Sequence, residues 1–171
     1  MLIRPERAGD AEAIGRVLEL AFGRPVEADI VEALRRAGVL APSLVAEEAG
    51  LVVGHIGFSP VALGDSDVKA VNLAPLAVLP ERQGQGIGSR LTEAGVEECR
   101  RLGLEAVIVL GHPGYYPRFG FTRASAFGLR YVNPHFSPEQ IEAAFMALEL
   151  VPGALAGAGG TLRLRPEFDV F

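Results

Sequence analysis

The sequence predicts a mixed α+β (α/β mixed) protein: a central, mostly antiparallel sheet flanked by helices, with one βαβ unit. Three observations predict it. Two stretches with helical apolar spacing are followed by three strand-like runs. The third run breaks at Leu79-Pro80 and passes through "ERQGQGIGS" straight into a long helical pattern. After that helix comes "AVIVL", apolar throughout, as expected of a strand covered on both faces.

Each element follows from local pattern. Leu2 to Arg4 reads as a short strand. Asp10 is placed to cap a helix whose Ile14, Val17, Leu18 and Ala21 share one face. A second helix follows Pro25, with Val26, Ile30, Ala33, Leu34 and Ala37 on one face and Gly38 at its exit. Ser43 to Glu47 and Leu51 to Leu63 read as strands joined by a tight turn at Ala49-Gly50. The turn Gly64 to Asp67 leads to a third strand, Val71 to Leu79, irregular at Pro75 because proline cannot donate to a ladder.

A helix is expected from about Gly86 to Leu102, with Ile87, Leu91, Ala94, Cys99 and Leu102 on its inner side. Ala106 to Leu110 closes the βαβ unit. "GHPGYYPRFGF" then reads as a short, proline-bounded helical turn with Gly120 at its exit. Leu129 to Val132 is expected as a strand, and Ser137 to Ala144 as a capped helix, since Ser-Pro-Glu-Gln suits a capping box. Phe145 to Val151 and Thr161 to Arg165 are expected to pair as a hairpin across "PGALAGAGG", the alternative being that this segment is a flexible loop. One domain over residues 1–171 is expected, with a core of about 1–125 and a C-terminal extension of about 126–171.

Composition narrows the function. The chain has 171 residues and a formal net charge of −5. That argues against nucleic acid as a partner, which needs a basic surface. Lys69 is the only lysine and Cys99 the only cysteine, so neither an internal disulfide nor a cysteine metal cluster can form. Cys99 reads as a buried structural thiol. The start, MLIRPERAGD, carries no apolar signal core, and no apolar run approaches the ~20 residues that span a bilayer. A cytoplasmic protein without a membrane partner is the expectation.

The glycine-rich loop between strand and helix is an anion site by design. The first turn of a helix presents unpaired N–H groups and a partial positive charge. Glycines let the backbone come close to a phosphate. A P-loop would need a lysine after its last glycine; Ser89 follows Gly88. A dinucleotide loop would need G-x-G-x-x-G and an acid at the end of the next strand. Here the spacing is G-x-G-x-G and Ala106 to Leu110 carries no acid.

Gln83-Gly84-Gln85-Gly86-Ile87-Gly88 resembles the Q/R-x-x-G-x-G/A signature of the GNAT superfamily of acyl-CoA N-acyltransferases. The element order agrees, and "YYPRFGF" is similar to that superfamily's "FYEKxGF" segment. The resemblance covers roughly residues 1 to 125. More narrowly, "LAPLAVLPERQGQGIG" with "LGHPGYYPRFGF" looks like a bacterial branch of predicted N-acetyltransferases.

The resemblance implies direct transfer of an acetyl group from acetyl-CoA to a primary amine. It implies that Gln83, Gly84, Gln85, Gly86, Ile87, Gly88 and Ser89 bind the cofactor pyrophosphate, mainly by backbone. Leu76, Ala77 and Val78 would bond the pantetheine chain through their backbone. Tyr116 falls on the family's tyrosine and is the candidate acid for the departing thiolate. Pro117 stands where the family has Glu, which puts the tilt of that turn in question. Tyr115 reads as packing.

The base is open between ordered water, His55 and His112. His55 lies mid-strand between Gly54 and Gly57, and His112 just past the buried strand. Glu47 and Glu48 read as solvated turn charges, and His135 has no assigned place. No cluster has metal spacing, so no metal is expected. The acceptor is a small-molecule amine or a protein or peptide amine. The C-terminal segment would cover the acceptor cleft or form a homodimer contact. Three rivals share the loop: a non-catalytic acyl-CoA-binding sensor on the same fold, a Rossmann-like nucleotide binder, and an acyltransferase using a longer acyl group.

Overall fold

The computed structural model describes residues 1–170. Among them are nine strands and four α-helices. The chain clusters into two compact units. The first comprises Met1–Ser59, Ala74–Glu98 and Val170; the second comprises Pro60–Leu73 and Cys99–Asp169.

The first unit begins with β1 (Leu2–Pro5), α1 (Ala11–Phe22) and α2 (Val26–Arg36). Then come β2 (Ser43–Glu48) and β3 (Leu51–Leu63), whose first nine residues lie in this unit. β1 pairs antiparallel with β2, placing Ile3 opposite Ala46, and β2 pairs antiparallel with β3, placing Val45 opposite His55. Ala49 and Gly50 form the turn between them, both with positive φ. Ile14, Val17 and Leu18 of α1 meet Val31 of α2, Val45 of β2 and Ala77 in one apolar cluster. The helical spacing read from the sequence produces that cluster. Ala37 is the exception, being exposed beyond the end of α2.

Asp10 precedes α1 but its side chain does not cap it. Its carboxylate takes the Arg4 guanidinium at 2.6 and 3.0 Å and the Arg7 amide at 2.7 Å. The nearly buried Arg4 also donates to Glu47 at 2.7 Å. A buried cation outcompetes the helix terminus for the carboxylate because it has no water to fall back on.

β4 (Ala70–Val78) contributes residues to both units, and α3 (Ile87–Arg101) lies mostly in the first. Ile87, Leu91, Thr92, Val96 and Cys99 are its buried side chains, while Leu102 lies past its end and is 47 % exposed. Gly95 lets α3 close on β3: a Cβ there would stand 2.7 Å from the Phe58 ring.

In the second unit β4 runs parallel to β5 (Ala106–Leu110), with Ala70 opposite Ala106 and Asn72 opposite Ile108. With α3 between them in sequence this is the expected βαβ unit. β5 has a second neighbour, β8 (Phe145–Glu149), antiparallel along its whole length. Ala106 to Val109 are buried, as a strand covered on both faces requires. β6 (Thr122–Arg123) pairs antiparallel with β8, and β7 (Leu129–Arg130) pairs parallel with β9 (Gly160–Arg163). α4 (Pro138–Ala144) starts with the expected capping box between Ser137 and Gln140.

The expected hairpin between the last two strands does not form. β8 joins β5 and β6, whereas β9 joins β7 and the end of β3, Ala62 and Leu63. The intervening "PGALAGAGG" is a run of turns anchored by Leu155 and Ala158 in the second unit's core. Gly160 passes so close to Gly64 that a Cβ on it would stand 2.8 Å from the Gly64 Cα. β8 is flanked by β5 and β6, and β9 pairs with β7 and β3, so neither strand is left to pair with the other. The expected strand at Leu129–Val132 is shorter for a related reason: β7 pairs β9 only at Leu129 and Arg130.

Candidate functional site

The glycine-rich loop lies wholly in the first unit. β4 ends at Val78, and the Leu79 amide donates to the Val53 carbonyl at 2.9 Å, tying the exit to β3. Pro80 to Arg82 form one tight helical turn, closed by Arg82 N–H to Leu79 O at 2.8 Å and Gln83 N–H to Pro80 O at 3.3 Å. Arg82 forms an ion pair with Glu48 at the end of β2. Glu47 and Glu48 are therefore paired to arginines rather than simply solvated.

Gly84 and Gly86 have φ of 73° and 82°, which side chains rarely adopt. Nothing lies within 4 Å of a Cβ built on either one. The glycines are required by backbone conformation, and the space beside them is open. The first helical bond after the loop runs from Arg90 N–H to Gly86 O at 3.1 Å. The amides at the start of α3 therefore precede any intrahelical partner.

A second close approach sets where α3 begins. A Cβ on Gly54 would stand 2.9 Å from Leu91 Cδ1, 3.2 Å from the Ala77 oxygen and 3.3 Å from Ile87 Cγ2. Gly54 thus makes room for α3 and not for His55. The glycine in "VVGHIG" was the available signal, but its partner is non-local and invisible in the sequence. The side chain of Gln83 was also missed. Its Nε2 donates to the Val78 carbonyl at 3.0 Å.

His55 is fully buried. Its Nε2 lies 2.9 Å from Ser43 Oγ, which donates to Glu6 at 2.5 Å. Since the serine hydrogen goes to the carboxylate, the imidazole donates through Nε2 and Nδ1 carries the lone pair. Nδ1 has no partner. Burial, with Arg35 nearby, lowers the His55 pKa to about 3. Such a group stays neutral and is shut off from solvent, which is the behaviour of a core histidine.

The tyrosine pair lies wholly in the second unit. Tyr116 opens a tight helical turn, Tyr116–Phe119, that accommodates Pro117 near its start and leaves through Gly120 with φ 93°. Its ring is edge-on to Tyr115 at 4.9 Å and to Phe121 at 5.6 Å between centroids. Gly111, directly after β5, admits the ring. Tyr116 is 8 % exposed, and burial, then Tyr115, pushes its pKa well above the usual phenol range.

His112 is exposed, and its Nδ1 accepts the Gly114 amide at 3.0 Å. That bond engages Nδ1 and leaves Nε2 facing outward. His135 is exposed in the segment after β7. Among the described residues no three or more His, Cys, Asp or Glu side chains gather into a metal site, and no helix is long and apolar enough to cross a membrane.

Comparison with known proteins decides the family. The acetyltransferase (GNAT) domain family matches residues 41–123. The uncharacterized N-acetyltransferase YhbS of Escherichia coli K12 is 37 % identical over 172 residues, covering all of both chains. This chain belongs to the GNAT family of N-acetyltransferases. The crystal structure of Escherichia coli YhbS in complex with CoA superposes with a TM-score of 0.92, covering 99 % of this chain and 92 % of that one. A GNAT acetyltransferase of Brucella melitensis in complex with acetyl-CoA, also 37 % identical, gives 0.79 and covers 98 % and 97 %. The GNAT fold expected from the loop and element order is thereby established.

Proposed function

We propose that this chain transfers an acetyl group from acetyl-CoA to the primary amine of a small molecule, peptide or protein. The observation that carries the reading is the open loop at Gly84 and Gly86 ahead of α3, in a chain whose relatives at 37 % identity were solved with CoA and acetyl-CoA. The pyrophosphate is held by the backbone of Gln83 to Ser89, and the pantetheine arm by the backbone of Leu76 to Val78. In acetyl-CoA the thioester supplies the activated acyl group.

The neutral amine attacks the thioester carbonyl carbon. The C–S bond breaks, and the amine proton goes to water. Tyr116 donates a hydrogen bond to the departing sulfur. Its raised pKa keeps the phenol protonated, so it stabilises the thiolate without giving the proton away. His55 is fully buried and His112 Nδ1 accepts the Gly114 amide, which supports water as the proton acceptor.

A thermal melt with acetyl-CoA, longer acyl-CoAs, NAD and ATP, each in excess, tests the assignment. Ligand at a hundred times its Kd adds roughly 2.7 kcal/mol, about 5–10 °C for a chain of this size. A shift with acetyl-CoA, followed by amine-dependent CoA release, supports the transferase. A shift without turnover over a broad amine panel supports a sensor. A shift with NAD or ATP alone overturns both.

A further inference from the structure

We infer that the Gln83 side chain is a positioning residue: it braces the pyrophosphate loop against the last residue of β4 and so sets the spacing between the two halves of the cofactor site. The inference rests on the acetyl-CoA reading above.

The loop needs no help from Gln83 to keep its own shape. Its turn is closed by the backbone bonds from Arg82 and Gln83 to Leu79 and Pro80, and its flank is tied by the Arg82–Glu48 ion pair. Those contacts, with the Leu79 amide on the Val53 carbonyl, hold the loop to β2 and β3, but none of them reaches β4, which ends just before the hinge at Leu79-Pro80. The Gln83 Nε2 bond to the Val78 carbonyl, at 3.0 Å, crosses that hinge. The neighbouring glutamine makes no comparable brace: Gln85 reaches Glu81 within the same loop, at 3.4 Å.

The chemistry of the brace is specific. A carbonyl needs a donor, so glutamine or arginine serves and glutamate does not. A ligand that touches only one side of the hinge does not sense the brace. A ligand that spans it does, because its ordering cost is then met in advance.

The test measures binding of three probes by titration: CoA, ADP for the phosphate half, and pantetheine for the other. Wild type is compared with Gln83→Ala and Gln83→Arg, after unliganded melts confirm that all three fold alike. In Gln83→Ala, CoA is expected to weaken about five- to tenfold, the worth of one neutral hydrogen bond. ADP and pantetheine are each expected to stay within about twofold of wild type, and Gln83→Arg to restore CoA binding. CoA affinity unchanged in Gln83→Ala, an equal loss for ADP and CoA, or an arginine variant as weak as alanine overturns the brace. Failure of wild type to bind CoA at all instead overturns the cofactor assignment.

Discussion

Gly111 lies so close under Tyr116 that a Cβ on it would stand 2.3 Å from Cε2 of the ring. The glycine directly after β5 is therefore the seat of the tyrosine proposed to serve the leaving thiolate. Gly111→Ala is expected to displace the ring, lowering kcat at least tenfold with little change in the KM for acetyl-CoA. It should also cost about 1–3 kcal/mol of stability, as overpacking does. Steady-state kinetics and a denaturant melt check both halves, and a variant with full kcat would detach Tyr116 from the chemistry.

Tyr116→Phe keeps the packing against Tyr115 and Phe121 and removes only the hydroxyl. Turnover is expected to fall about tenfold or more, with acetyl-CoA affinity unchanged by titration. Wild-type kcat/KM for the amine should rise with pH as the ammonium, of pKa near ~10, loses its proton. Because burial and Tyr115 raise the phenol pKa, no falling limb should appear below pH ~10. A bell-shaped profile centred near neutrality would place the acid elsewhere.

Gly86→Val puts a branched side chain on a backbone with φ 82° and into the open space ahead of α3. Acetyl-CoA binding should be lost by titration while the far-UV spectrum stays native. Unchanged affinity would remove the loop from the site.

His55 makes acid stability depend on one core group. Its folded pKa, about 3, lies below the unfolded value of 6.5. Between those values the unfolded chain binds a proton that the folded chain does not. Stability is therefore full above pH 6.5 and falls as pH drops toward 3. His55→Phe should flatten the upper part of this decline, between about pH 6.5 and 4.5, before the carboxylates begin to titrate. Urea melts across that range read the slope. An equally steep decline in the variant would place the sensitivity elsewhere.

Asp10→Asn leaves Arg4, 9 % exposed, facing a neutral amide. A loss of about 1.5–3 kcal/mol is expected, the worth of hydrogen bonds to a charged group, because Glu47 still faces the Arg4 guanidinium at 2.7 Å. Arg4→Met with Asp10→Leu should recover much of it. A single variant near wild type in a urea melt would mean the pair is solvated.

Periodicity made much of the fold legible. The bounds of β3 and β5 and the capping box at Ser137 match the sequence reading. So does the loop between β4 and α3, because a strand, three glycines and a helix allow few uses. What stayed hidden depends on non-local partners. β8 and β9 look like hairpin partners because they are neighbours in sequence. Their real partners are β5 and β6 for β8 and β3 and β7 for β9, all of them distant in sequence or separated by turns. His55 looked like a base because the sequence does not show Ser43 and Glu6 closing over its Nε2. His112 looked like one because the Gly114 amide two residues on is not read as a donor.

The pairing of β8 with β5 has a consequence for the order in which the chain is made. A ribosome releases Ala106–Leu110 well before Phe145–Glu149, so the most apolar strand waits with one edge bare. Exposed AVIVL segments are what edge-to-edge aggregation uses. Nascent chains stalled or cleaved near residue 125 should therefore need a chaperone to stay dispersed, whereas chains carried past residue 149 should not.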